Sequence, residues 1–380
     1  MFFYPLFVVI SLHFFTCAKT NETFTTVIID STGPEAPWLK TFGDLDGDGL
    51  SDIIIGGHKS GGLVWYKYPD WDKYLISSDK FSTDGEVADV NLDGLPDIIA
   101  IENTCIKWFE NPGPDFIHSS EKWKQTTIAN IKQHDVEIAD FDLDGDIDIF
   151  ARDQGNFGHS GETLFFVRQE NPEKWNIETI NCPDGEGLLK MDVDKDNDMD
   201  IVINQCWFEN PGRDVSGTWN KHTFTNSYSH PSVFIASGDI NNDGRDDLVL
   251  SPSELQGGSY RISWFEAPDD PKKLWREHII ENNIETVHHF VGVADFDKNG
   301  LADVASAEMT QGEGDDEVKI YFNKNKGASW TKQVLSVDGS HSMRIVDIEN
   351  DGDYDLFGAN WRANGRDEYV KIWINKTKTK

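Results

Sequence analysis

Seven times along the chain, carboxylates and amides return in one nine-residue pattern, Asp-x-[Asp/Asn/Glu]-x-[Asp/Asn]-[Gly/Asn]-x-x-Asp. Oxygen-bearing side chains at alternate positions of a tight loop can surround a hard cation such as calcium. The candidate ligands stand at positions 1, 3, 5 and 9. They are Asp44, Asp46, Asp48 and Asp52; Asp89, Asn91, Asp93 and Asp97; Asp140, Asp142, Asp144 and Asp148; and Asp192, Asp194, Asp196 and Asp200. The last three copies supply Asp239, Asn241, Asp243 and Asp247; Asp295, Asp297, Asn299 and Asp303; and Asp347, Glu349, Asp351 and Asp355. These positions hold 25 carboxylates in a chain whose formal charge is −33, from 67 acids against 34 bases. Such crowding of like charge asks for a counter-ion. The acidic balance also argues against nucleic acid or an anionic membrane surface as a partner.

A second set appears on counting six residues back from each motif Asp: Trp38, Thr83, His134, Glu186, Val233, His289 and His341. Three of the chain's 11 histidines fall in that one column. If the seven units form a ring, His134 and Glu186 look across it at His289 and His341. The group could be a general acid and base set or could hold a further divalent metal. Near it, the turns between second and third strands carry His58 with Lys59, Arg152 with Asp153 and His159, Glu254, Glu308, and Trp361 with Arg362. Cations beside aromatic rings suit a carboxylated sugar, clamped by Arg and stacked on a ring. The candidate catalytic residues are therefore His134, His289, His341, Glu186 and Arg152, with His134 or His289 as base, His341 supporting the leaving group and Arg152 neutralising developing charge. The candidate substrate-binding residues are Trp38, His58, Glu254, Glu308, Trp361 and Arg362. Histidine caps on strand starts and ordinary surface residues are the plain alternatives.

What must position these residues is legible from the repeat. Motif starts lie 45, 51, 52, 47, 56 and 52 residues apart, a period of the repeat-architecture kind. In each unit an apolar strand enters the acidic loop and a β-rich run leaves it. A third strand follows, often with an aromatic pair such as Trp65-Tyr66, Trp108-Phe109 or Trp207-Phe208, and then a fourth that opens with Trp, such as Trp123 to Ile128. No stretch reads as a long amphipathic helix. Four strands in each of seven units predict an all-β fold, a seven-bladed β-propeller. The seventh unit stops at Trp373-Ile374-Asn375, one strand short, while Phe24–Ile29 matches the fourth-strand pattern. The N-terminal strand is expected to join the last blade and close the ring, removing a raw edge.

Residues 1–18 are almost wholly apolar and read as a secretory signal, with Cys17 as a minor lipid-anchor alternative and 19–380 as one propeller domain. Secretion to a calcium-rich compartment suits the loops. Cys182 and Cys206 could pair, or Cys105, Cys182 and Cys206 could all stay unpaired.

The acidic loops, each following a strand, resemble FG-GAP or VCBS-type repeats from about residue 24 onward. The resemblance implies up to seven structural Ca2+ ions between first and second strands, a position 7 carbonyl as a further ligand, and ligand binding on the opposite face. It includes the integrin α-chain propeller. Asn197 at position 6, Glu349 at position 3 and Asn299 at position 5 depart from the pattern, so their sites are expected to be weak or altered. The strings His134-Asp135-Val136-Glu137, Ser251-Pro252-Ser253-Glu254, Ala307-Glu308-Met309 with Gln311-Gly312, and Gly358-Ala359-Asn360-Trp361 carry a narrower likeness. They resemble secreted single-domain VCBS propellers related to the aldos-2-ulose dehydratase propeller and to rhamnose–glucuronate propeller lyases. That likeness implies elimination on a sugar.

Two readings follow. One is a secreted lyase or dehydratase acting on a uronic-acid-containing or oxidised sugar, with an acidic poly- or oligosaccharide as partner. The other is a non-catalytic propeller that binds carbohydrate or protein. The histidine column favours the first, since adhesion needs no proton carriers; the fold alone decides nothing about chemistry.

Overall fold

The inner strand of every blade ends one residue before the first Asp of an acidic loop, so the loop residues leave the sheet together. These inner strands are Glu35–Gly43, Phe81–Ala88, Asp135–Ala139, Leu189–Met191, Val233–Gly238, Phe290–Ala294 and Met343–Val346. Each pairs antiparallel with the strand that opens at position 9, as when Ala139 faces Asp148 and Gly43 faces Asp52. The computed structural model describes residues 23–154, 163–213, 217–361 and 369–377. Residues 1–18 with Cys17, expected to be a signal, and also His159 and Arg362, lie outside the described residues.

Seven separate four-stranded antiparallel sheets result, six of them consecutive in sequence. The seventh takes its outer strand from the start of the chain: Phe24–Asp30 pairs with Val370–Asn375, with Phe24 opposite Asn375. This is the expected closure of the ring. The only helix among the described residues is a single 3-10 turn, Ser120–Lys122. None of their helices is long and apolar enough to cross a membrane.

Blades are held to one another by packing and by a repeated amide latch. Trp65, Trp108, Trp207, Trp264 and Trp373 are among the largest fully buried side chains. Truncating one to Ala would cost about 3–5 kcal/mol. The latch uses an Asn at or just after the end of the third strand, which at Asn111 and Asn210 belongs to a Glu-Asn-Pro turn. Asn111 Nδ2 donates to the carbonyl of Leu45 one blade back at 2.9 Å, and Asn210, Asn323 and Asn375 do the same to Phe141, Ile240 and Phe296. Gln169 makes the equivalent bond to Val90. Among the described residues no disulfide forms, so Cys182 and Cys206 are not joined.

Candidate functional site

The seven acidic loops share one hydrogen-bond scheme. The position 1 carboxylate accepts the amides of positions 5 and 6, as at Asp140 from Asp144 at 3.0 Å and from Gly145 at 3.0 Å. The position 5 oxygen accepts the amide of position 7, as at Asp93 from Leu95 at 2.9 Å. The position 9 carboxylate ties the loop to the third strand, as at Asp97 from the amides of Val90 and Asn111. Position 6 lies in the left-handed region in every copy, φ 74° to 101°. Asn197 takes it at 74°, as a glycine substitute can. Position 4 is left-handed too, which the motif did not announce: Leu92 and Leu143 sit at φ 58°.

These loops fit a cation. In at least four of them three carboxylates bring an oxygen each within 4.8 Å of the others: Asp44, Asp46 and Asp48; Asp140, Asp142 and Asp148; Asp192, Asp194 and Asp200; Asp295, Asp297 and Asp303. Burial pushes the position 9 carboxyls up, to about 7 at Asp148 and about 8 at Asp200, against their backbone hydrogen bonds. A divalent ion would restore their charge. Asn299 keeps the position 5 role by accepting the Leu301 amide at 2.8 Å. Glu349 instead meets the Tyr68 hydroxyl at 3.3 Å and Lys376 at 3.5 Å. In the first loop Lys67 pairs with both Asp46 and Asp48.

At the other end of the inner strands the expected histidine column converges, and more tightly than side chains facing each other across an open mouth. His134 Nε2 lies 3.6 Å from Glu186, and His289 Nε2 lies 3.7 Å from Glu186 and 3.6 Å from Glu254. His289 stacks on His341 at 4.4 Å between ring centres. Local sequence explains each placement. Glu186 sits between Gly185 and Gly187, at φ 114° and 98°; a Cβ on either would lie 2.0 Å or less from the carbonyl of Pro231 or Val233. Only glycine permits that approach, which carries Glu186 onto the next blade. Ser253 Oγ and Gln154 Nε2 then donate to its two oxygens. His134 is oriented by Asp135, whose other oxygen accepts the Gly187 amide at 3.0 Å.

The electrostatics separate the histidines. Burial works against a charge on His134, but Asp135, Glu186 and Glu254 overturn it and lift its pKa to about 9. His289 is driven down to about 3 by burial and by the charges of His134 and Lys40. His341 is held well below its ordinary value by burial and the same neighbours. Burial and Glu186 raise the Glu254 carboxyl to about 8. The cluster thus holds one imidazolium, two neutral imidazoles and two carboxyls. Neither ring nitrogen of His289 has a hydrogen-bond partner, and Glu186, Glu254 and His289 bring one donor atom each within 4.8 Å. Those donors fit a divalent metal.

The aromatic residues expected near this end also lie together. Trp38 stacks on His58 at 3.7 Å and meets the edge of Trp361 at 5.3 Å, with His341 5.7 Å away. Two expectations need correction. Arg152 is no carboxylate clamp: it is fully buried, and its guanidinium donates to the carbonyls of Gly187 and Pro183 and to Asn204 Oδ1. Glu308 does not line the axis either. His288 at 2.9 Å and Lys319 at 2.8 Å engage it, and they overcome burial to hold its pKa at about 2.

One layer went unread. Three residues further along the inner strands, Glu86, Glu137 and Arg344 meet on the axis with Asp84 and Lys190. Arg344 donates to Asp84, and Lys190 pairs with Glu137 at 3.2 Å. The signal was present, since Glu86, Glu137 and Arg344 each stand three residues before a motif Asp. Charged residues at inward strand positions are unusual enough to mark it.

An FG-GAP-like repeat model matches residues 44–100, 89–151 and 295–358. No curated protein matches the chain in sequence. Several solved structures share the fold. An Agrocybe aegerita lectin that recognises non-reducing terminal N-acetylglucosamine is 16% identical over 79% of this chain and 80% of its own, with TM-score 0.53. BBS1N, solved in complex with ARL6DN, is 8% identical over 93% and 97%, with TM-score 0.58. An α-L-arabinofuranosidase from Fusarium graminearum, solved with an iminosugar inhibitor, is 10% identical over 93% and 98%, with TM-score 0.51. Identities this low speak for the fold alone. Seven matching acidic loops, seven four-stranded blades and three matched repeats make the chain a β-propeller of the FG-GAP/VCBS repeat type.

Proposed function

We propose that this propeller is a secreted, calcium-stabilised, carbohydrate-active enzyme that works by elimination at the histidine end of its axis. The observation that carries the reading is the meeting of His134, Glu186, Glu254 and His289 within 4 Å contacts beside the Trp38–His58–Trp361 platform. That a lectin and an arabinofuranosidase share the fold is in keeping with a sugar ligand.

Exposure divides the roles. The Glu254 side chain is 17% exposed and that of His134 13%, whereas Glu186 and His289 are sealed at 1%. Glu254 is therefore the reachable base, in place of the His134 or His289 that sequence suggested, and His134 the reachable acid. The carboxylate removes a proton beside a carbonyl, a carbon–carbon double bond forms, and the β C–O bond breaks. The imidazolium gives its proton to the departing oxygen. Glu186 and the backbone around it hold His134 and His289 in place, and Trp38 with Trp361 offers a face for the ring. Were Glu186, Glu254 and His289 to hold a divalent cation instead, it would supply positive charge for the enolate, and Glu254 would then be a ligand rather than the base.

Incubation with a panel of polyuronates and keto-sugars, followed by ultraviolet absorbance, tests the reading. An absorbing unsaturated product is expected, lost in His134→Gln and Glu254→Gln. Sugar binding without product across the panel would instead support the non-catalytic reading, in which the aromatic platform alone recognises the ligand.

A further inference from the structure

Beneath the histidine layer the axis holds a cavity of about 250 Å³ whose two sides differ in character. Blades 5 and 6 contribute Phe234 and Phe290 with Val291, an apolar wall. Blades 2, 3 and 7 contribute Asp84, Glu86, Glu137 and Arg344, a polar wall. His289 and His341 cap it, and His289 Nδ1 and Nε2 and His341 Nδ1 have no hydrogen-bond partner although both residues are more than nine-tenths buried. Buried polar atoms are ordinarily paired, so three such nitrogens around one cavity point to a ligand that pairs them.

The size and the chemistry narrow that ligand. A cavity below the roughly 300–1,000 Å³ of drug-sized sites admits one small ring and not a run of polymer. An apolar wall opposite a hydrogen-bonding wall matches a pyranose, whose C–H face is apolar and whose rim is hydroxyl. Charge decides the rest. The cations among the described lining residues are already engaged: Arg344 donates to Asp84, and His134 is paired with Asp135 at 2.9 Å and lies 3.6 Å from Glu186. The nearby Lys190 is spent on Glu137, and Arg152 on carbonyls. A sugar carboxylate would therefore meet carboxyls with no cation left to receive it.

Resting on the carbohydrate reading above, we propose that the axial cavity binds a single uncharged sugar ring and rejects uronates. The ring's C–H face lies on Phe234 and Phe290, and its hydroxyls bond Glu86, Glu137 and the free nitrogens of His289 and His341. This narrows the substrate class to neutral sugars, including neutral oxidised ones.

The test is binding, read by calorimetry and by saturation-transfer NMR on the full chain with calcium. Glucose, galactose and their methyl glycosides are compared with glucuronate and galacturonate. At least one neutral sugar is expected to bind at least tenfold more tightly than its uronate. Phe234→Ala should weaken it tenfold or more, with Phe234→Leu as the milder change if the first fails to fold. Glu86→Gln, close in shape, should narrow the preference over the uronate. Equal or tighter uronate binding, no binding by any neutral sugar, or binding indifferent to both Phe234 and Glu86 variants would each overturn the proposal. Failure of the elimination reading shows separately, as neutral-sugar binding with no ultraviolet product.

Discussion

The two ends of the inner strands obey opposite rules. At the acidic end, seven loops repeat the same amide-to-carboxylate bonds and the same left-handed position 6. At the histidine end, the corresponding residues are Trp38, Thr83, His134, Glu186, Val233, His289 and His341, no neighbouring two alike until the last pair. Repetition serves a load that every blade bears equally, the anchoring of its first two strands. A site needs different groups at one point, and a ring can supply them only where its blades differ. On the proposed reading, that difference assigns chemistry to the irregular end and stability to the regular one.

The sharpest way to break that comparison is to remove the ions. Strong chelation should lower the melting temperature by more than about ten degrees, because ions bound only to the folded state stabilise it. Elemental analysis showing no calcium together with an unchanged melt would leave the loops without their function. Arg152→Ala comes next. It strands the carbonyls of Gly187 and Pro183 in a buried place, and a loss of about 3 kcal/mol is expected in denaturant melts. A normally stable variant that lost only activity would return Arg152 to the site. His134→Gln and Glu254→Gln should do the reverse of chelation, lowering turnover about a hundredfold while the melt shifts by no more than about two degrees. Variants that unfold would make the cluster structural.

A smaller effect concerns Glu308, which lies at the irregular end yet serves stability. Its folded pKa, about 2, is below its ordinary 4.5. Its contribution, of order 3 kcal/mol at most, is therefore complete above the ordinary carboxylate range and lost as pH falls toward 2. Glu308→Gln should flatten the acid limb of a melting-temperature profile in that window; an unaltered limb would show the ion network to be idle. The smallest effect is expected at Leu92, exposed and left-handed at φ 58°. Leu92→Asn should raise the melting temperature by about one degree, since Asn tolerates that conformation. A fall would mean the leucine packs in a way its exposure conceals.

What the sequence by itself determined is everything that short-range spacing controls: the cage positions, the four-strand unit, the count of seven and the missing strand supplied by Phe24–Asp30. Each depends on residues within about fifty of one another and recurs often enough to be unmistakable. It also marked the histidine column, because a ring turns one column into one circle. Tertiary structure alone decided what the members of that circle do. Glu186 reaches His289 because two glycines let its strand start press against the next blade, and Arg152 turns to carbonyls because Asn204 and Gly187 lie beside it. The charged layer of Asp84, Glu86, Glu137, Lys190 and Arg344 draws on four different blades, so no local motif announces it. Protonation follows the same division. His134 and His289 are chemically identical in the sequence, and only the carboxylates gathered around the first, against the burial and neighbouring cations of the second, make one a charged acid and the other a neutral ring.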